Sequence, residues 1–296
     1  MGRMRMVSAL LLLLALPASA GSLDRAKEEC KAGNMSACGL VGRSYQHGLG
    51  VPIDYRFAIR YLRKACDGGD AVGCAELGVA YRNGIGVVLD HTMAIELFLV
   101  ACKGKSAIAC RELGDMFTIG EGVPLDPSGA YLWYDQACTN GDGEGCFRAG
   151  VHHELGHGAQ IVDYKEAAYL YRTGCELGEG QGCTALGKLH ERGDGVEKDE
   201  AAAIKLFREG CDKADGGGCL AMGVRHARGS GVPKDSQMAG TWLEKSCAVG
   251  DPRGCRAYGE HLIKTVEDGS SARTAFNKGC ENGDAVSCKK ARKLTD

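Results

Sequence analysis

Sixteen cysteines fall into eight pairs of constant spacing, and no other feature of the 296-residue chain restricts its fold as strongly. The pairs are Cys30 and Cys38, Cys66 and Cys74, Cys102 and Cys110, Cys138 and Cys146, Cys175 and Cys183, Cys211 and Cys219, Cys247 and Cys255, and Cys280 and Cys288. Partners are always eight positions apart, and successive pairs step by 36, 36, 36, 37, 36, 36 and 33 residues. A period of this length marks a repeat architecture, in which one small supersecondary motif stacks on copies of itself.

Other residues keep the same register. With the second cysteine of each pair as slot 0, glycine occupies slot 4 at Gly42, Gly78, Gly114, Gly150, Gly187, Gly223 and Gly259. Slot 7 is aromatic or histidine at Tyr45, Tyr81, Phe117, His153, His190 and His226. A Gly-x-Gly follows, as in Gly48-Leu49-Gly50 and Gly193-Asp194-Gly195. Next comes an aspartate (Asp54, Asp90, Asp126, Asp163, Asp199, Asp235), and four residues later an alanine (Ala58, Ala94, Ala130, Ala167, Ala203, Ala239).

This pattern reads as two helices per repeat. Slots 0, 3, 4 and 7 make one apolar face at helical spacing. The slot-4 glycine admits a close partner helix, and the slot-10 glycine can adopt the left-handed conformation that ends a helix. The aspartate is placed to cap the second helix by accepting from a free backbone amide. That helix then presents an alanine, a large apolar residue and the next cysteine at spacings of four, as in Ala94, Phe98 and Cys102. One hairpin cannot bury its own face, so the fold class expected is an all-α solenoid. The expected repeats are 38–73, 74–109, 110–145, 146–182, 183–218, 219–254 and 255–287. A half-repeat over 23–37 precedes them and another over 288–296 follows. The fourth carries one extra residue near Gln160, and the seventh lacks three residues and its Gly-x-Gly turn.

Residues 1–20 read as a leader outside this fold. Arg3 and Arg5 precede an apolar run from Val7 to Leu16, and Ala18-Ser19-Ala20 offers a cleavage site before Gly21. The mature region, 21–296, is therefore expected to be exported, to the periplasm or beyond, where cysteines oxidise. No later stretch is apolar enough for membrane insertion. The formal charge of -2 gives no reason to expect nucleic acid as a partner. A monomer is expected.

The string Leu77-Gly78-x-x-Tyr81-x-x-Gly84-x-Gly86-Val87-x-x-Asp90-x-x-x-Ala94 resembles the Sel1-like repeat, a relative of the tetratricopeptide repeat. With the added Cys-x7-Cys pairs, the mature chain is similar to the Helicobacter cysteine-rich protein family. That resemblance implies a right-handed α/α solenoid whose disulfides join a second helix to the next first helix. It also implies one of two activities: recognition of a host or other protein, or the binding or hydrolysis of β-lactams.

The local geometry points to the same staples. In each pair the first cysteine ends a helix, a turn such as Asp67-Gly68-Gly69-Asp70 follows, and the second cysteine opens the next helix. Zinc sites favour two to four residues between cysteines rather than seven. Each closed loop is short, so the chain-entropy model gives about 2.5 kcal/mol per bridge.

Two further motifs invite chemistry. His153-Glu154-Leu155-Gly156-His157 matches the zincin pattern, which needs both histidines on one continuous helix. Gly156 occupies the helix-ending slot, so no metal site is expected, and no cofactor. Ser287-Cys288-Lys289-Lys290 matches the Ser-x-x-Lys of serine β-lactamases, but the companion Ser-Asp-Asn and Lys-Thr-Gly are absent. No catalytic residue can be assigned.

Binding is expected instead on the first helices, whose non-core stripe (slots 2, 5, 6 and 9) would line a concave groove. Glu76, Glu112 and Asp115 lie on this stripe in early repeats, and Arg148, Lys188, Arg192, Arg225, Arg228 and Lys264 in later ones. Met116, Ile119, Leu155 and Leu189 add apolar surface to it. Arg192, Arg228 and Lys264, all in slot 9, form a candidate basic ladder for an extended anionic ligand. A protein or peptide segment or a cell-envelope component is the expected partner.

Overall fold

The computed structural model describes residues 20–157 and 161–294. Residues 1–19, which carry the expected leader, lie outside the described residues. So do the inserted position near Gln160 and residues 295–296. The described chain contains sixteen α-helices and no strand. Among the described residues no helix is long and apolar enough to cross a membrane.

The chain forms two compact units, one ending at Gly104 and one beginning at Lys105. The first contains α1 (Ala20–Lys31), α2 (Met35–His47), α3 (Tyr55–Asp67), α4 (Ala71–Asn83) and α5 (His91–Lys103). The second contains α6 (Ala107–Ile119), α7 (Pro127–Thr139), α8 (Gly143–Leu155), α9 (Tyr164–Glu176), α10 (Gly180–Arg192) and α11 (Glu200–Asp212). It continues with α12 (Gly216–Arg228), α13 (Ser236–Ala248), α14 (Pro252–Thr265), α15 (Gly269–Glu281) and α16 (Ala285–Lys293). Even-numbered helices are the first, or A, helices of the repeats, and odd-numbered ones are the B helices.

Within each unit every helix packs on its sequence neighbours, and A helices also pack on A helices. Thus α2 meets α4 in the first unit, and α6, α8, α10, α12, α14 and α16 form a continuous row in the second. The slot-4 glycines make this layering possible. A β-carbon on Gly78 would lie 2.7 Å from the ring of Phe98, on Gly114 2.5 Å from Tyr134, and on Gly150 2.6 Å from Tyr171. The large residue four before each first cysteine thus fills the space that a glycine leaves on the A helix. Tyr134, Tyr171, Phe98, Phe207 and Phe276 are almost completely buried there.

Both ends of each hairpin are closed by backbone chemistry. Gly48, Gly84, Gly120, Gly156, Gly193 and Gly229 all take left-handed conformations at the A-helix ends. The expected aspartates cap the B helices, and each also donates its backbone N–H to the slot-7 carbonyl, as Asp90 does to Tyr81 and Asp199 to His190. The last hairpin departs from this pattern. α14 runs one residue longer, and only Val266, Glu267 and Asp268 link it to α15, with Glu267 at φ 55°.

All sixteen cysteines are disulfide-bonded and none is free. In the first unit Cys30 joins Cys38 and Cys66 joins Cys74, with Cα atoms 4.7 and 4.4 Å apart. In the second, Cys138–Cys146, Cys175–Cys183, Cys211–Cys219, Cys247–Cys255 and Cys280–Cys288 each tie a B helix to the following A helix. Such complete bridging belongs to an oxidising, extracytoplasmic environment.

Candidate functional site

The A helices carry a wider buried face than their periodicity suggests. Slot 6, expected on the open stripe, is core: Met116 and Leu189 are fully buried, and His152 and Arg225 nearly so. Met116, Leu189 and Arg225 therefore do not belong to a groove. The cause is a second B helix. Inside the second unit an A helix packs against the B helix of the preceding repeat as well as its own, and slot 6 faces the former: His152 lies against Tyr131 and Tyr134 of α7, Leu189 against Tyr171 of α9 and Arg225 over Phe207 of α11. Slots 2, 5 and 9 stay more open, with Lys188, Arg192, Arg228 and Lys264 exposed and Arg148 partly so.

Most of the expected cations are already engaged. Arg148 pairs with Asp115 on α6 at 3.0 Å and with Glu144 on its own helix at 2.6 Å. Burial opposes its charge, yet these carboxylates hold its pKa above the ordinary arginine value. Arg192 pairs with Glu154 on α8 at 2.9 Å and with Asp194 at 2.5 Å. Arg225 pairs with Glu191 on α10 at 2.5 Å, and its guanidinium lies 4.4 Å from the centre of the Phe207 ring. Only Lys188, Arg228 and Lys264 of the six expected ligand-binding residues have no ion pair among the described residues. Of the expected Arg192–Arg228–Lys264 ladder, Arg192 is therefore already paired within the protein, and Arg228 and Lys264 are not.

Three consecutive layers show how this arises. In the first, Glu154 in slot 8 of α8 accepts from the Tyr171 hydroxyl at 2.6 Å and from Arg192 in slot 9 of α10. Burial raises the Tyr171 pKa, and the Glu154 carboxylate raises it further. In the second layer Phe207 replaces the tyrosine, and Glu191 in slot 8 of α10 takes Arg225, from slot 6 of α12. Arg228, one turn further along α12, is left without an acceptor. In the third layer Leu243 stands in the tyrosine position and Ala227 in slot 8 of α12, and Lys264 in slot 9 of α14 has no ion pair among the described residues. Glu154 and Glu191 were not anticipated from the sequence. Their signal is an acid in slot 8 one repeat before a base in slot 6 or 9.

The catalytic motifs are dispersed into structural work. His153 ends up buried with both ring nitrogens unpartnered, while His157 lies beyond the left-handed Gly156 in an exposed turn. Glu154, between them, is held by Tyr171 and Arg192. The zincin constellation therefore does not assemble. Ser287 is fully buried, out of reach of a substrate, and its hydroxyl donates to Asp284, the cap of α16, at 2.5 Å. Cys175, Cys183 and Glu209 bring donor atoms together, but both sulfurs are tied up in a disulfide. Hollows of about 270 and 300 Å³ open beside successive B helices, one at α9 and α11 around Leu206 and His190, the other at α13 and α15 around Tyr258 and Ala275.

Comparison with known proteins supports the repeat assignment. Residues 36–70, 71–106, 107–142, 143–179, 180–215 and 217–251 each match the Sel1 repeat. The structure is similar to that of a protective antigen of uropathogenic Escherichia coli strains displaying an SLR fold, with 25% identity and a TM-score of 0.71. The match covers 92% of this chain and 59% of the antigen, so the chain corresponds to little more than half of that relative. A Sel1 repeat protein from Oxalobacter formigenes is 25% identical with a TM-score of 0.68, over 76% of this chain and 98% of its own. The cysteine-rich protein B of Helicobacter pylori is 26% identical over 44% of this chain and 93% of its own, with a TM-score of 0.37. No curated protein matches in sequence.

Proposed function

Since the chain belongs to the Sel1 repeat family, we propose that it is an exported, non-catalytic scaffold that holds a protein segment along the open slots of its A helices. One observation carries this reading. Slots 0, 3, 4 and 6 are consumed by packing, whereas slot 9 leaves Arg228 and Lys264 exposed, and without an ion pair among the described residues, on two adjacent A helices of one continuous row. A row of equivalent side chains on packed helices repeats every 8–10 Å or so, a spacing that an extended chain can follow. The hydrolytic alternative gains no support: the Ser287 hydroxyl is fully buried and donates to Asp284, the cap of α16.

Site-specific photo-crosslinking in the producing cell tests the reading. A benzophenone side chain at Lys188 or Arg228, on the A helices, is expected to capture a discrete protein partner. The same probe at Lys205 or Arg208, exposed on the B helix α11, is expected to capture none. Adducts from the B-helix positions alone would overturn the proposal, as would turnover of a chromogenic cephalosporin by the purified oxidised chain.

A further inference from the structure

Each A-on-A junction between α8 and α12 carries its own carboxylate for its own cation, and the junction between α12 and α14 does not. Glu154 accepts Arg192 and Glu191 accepts Arg225. The corresponding slot 8 of α12 is Ala227, whose methyl group can accept nothing, while the cation that should face it, Lys264, is present and exposed. Arg228, in the same slot as Lys264 one helix earlier, lacks an acceptor for a different reason: the carboxylate in its register, Glu191, is held by Arg225 at 2.5 Å. Two exposed cations thus stand in one slot of two packed helices, next to a vacant acceptor position.

We propose that this α12–α14 edge docks an extended acidic segment of a partner protein, with one partner carboxylate taking the position that Ala227 leaves vacant. This rests on the scaffold reading above and names its ligand chemistry. The argument for a carboxylate comes from the protein itself, which fills the equivalent positions at Glu154 and Glu191 with carboxylates. The spacing adds a second constraint. Packed helices lie about 8–10 Å apart, and a polyproline II segment rises about 3.1 Å per residue with three residues per turn, so acids three residues apart share one face and reach Lys264 and Arg228 together. The contacts are exposed, so binding is weak and falls steeply with salt. A long polyanion such as nucleic acid would need a larger basic field than a chain of net charge -2 supplies.

The probe is a fluorescein-labelled peptide carrying glutamate at every third position, titrated with the full oxidised chain and followed by anisotropy at low salt. Saturable binding is expected. Ala227→Glu, which supplies the missing carboxylate from within, should weaken it tenfold or more, and Arg228→Ala with Lys264→Ala should do the same. Ala201→Glu adds equal charge on the exposed face of α11 and should leave binding unchanged. Circular dichroism and the melting temperature confirm that each variant is folded, and the alanine pair keeps the test valid if Ala227→Glu is not. No binding by the wild-type chain would overturn the proposal. Equal weakening by Ala227→Glu and Ala201→Glu would also overturn it while leaving the scaffold reading intact. A single-stranded oligonucleotide that binds as tightly, and loses affinity in the same variants, would show a general polyanion surface and reject the acidic segment. Loss of A-helix crosslinks in the cell would instead reject the scaffold reading.

Discussion

The junctions between α8 and α10 and between α12 and α14 use the same helix slots, yet one is closed and the other open. At the first, Tyr171, Glu154 and Arg192 form a continuous chain of donors and acceptors. At the second, the same positions hold Leu243, Ala227 and Lys264, and the cation is left facing solvent. The backbone rules are shared: Gly187 and Gly223 in slot 4 meet Phe207 and Leu243, and Gly193 and Gly229 end the A helices in the left-handed region. The repeat framework therefore tolerates either state, and a few side chains decide whether a junction satisfies itself or presents charge to a partner.

The comparison can be broken most forcefully at the closed end of the row. His152 fills the buried slot 6 of α8, against the rings of Tyr131 and Tyr134 on α7, with His153 and His157 as its own-segment neighbours. Burial, and then the nearby His157 and His153, lower its pKa from 6.5 to about 4. The unfolded chain therefore takes up this proton first. Stability present above pH 6.5 is lost as the pH falls towards 4, by about 3 kcal/mol at most for a shift of this size. His152→Leu, which copies Leu189 in the next A helix, should flatten the pH dependence of denaturant unfolding over that window. An unaltered slope would remove His152 from the account.

Cutting the closed junction itself should have the next largest effect. Glu154→Leu strands the buried Tyr171 hydroxyl and removes one partner of Arg192, at a cost of about 2 kcal/mol. Tyr171→Phe, which copies the second layer, leaves no donor stranded and should cost about 1 kcal/mol. Urea unfolding of the two variants checks this order, and the reverse order would mean that the hydroxyl does not depend on Glu154. At the open junction, Arg228→Ala and Lys264→Ala should each change stability by less than about 0.5 kcal/mol, as exposed residues without partners do. A larger loss in either would show that the junction is not open.

Much of this was legible in the sequence, for a physical reason: the period of the cysteines, the slot-4 and slot-10 glycines and the capping aspartates are local constraints that recur in every repeat. Gly156 alone is enough to separate His153 from His157. The open stripe is narrower than helical periodicity implies, because slot 6 is buried at His152, Leu189 and Arg225. A helical wheel sees a helix with one buried face, whereas α8, α10 and α12 are each packed between two B helices, and these side chains disappear into that extra contact. The ion pairs were missed because Glu154 and Arg192 are 38 residues apart and Glu191 and Arg225 are 34 apart, beyond any rule for neighbours on one helix. Setting slot 8 of each repeat beside slots 6 and 9 of the next would have revealed them.

The central claim is that slot 8 of one A helix faces slot 9 of the next, so that Ala227 is a vacant acceptor for Lys264. A double-mutant cycle tests it most directly, with Ala227→Glu and Lys264→Met singly and together, measured by urea denaturation at low salt. The account predicts that Ala227→Glu stabilises the wild-type background and not the Lys264→Met background, with a coupling of about 0.5 kcal/mol, as for other exposed ion pairs. A parallel cycle on Glu154 and Arg192 should give coupling of the same sign. Coupling at Glu154 and Arg192 with none between positions 227 and 264 would contradict the shared register and with it the open junction.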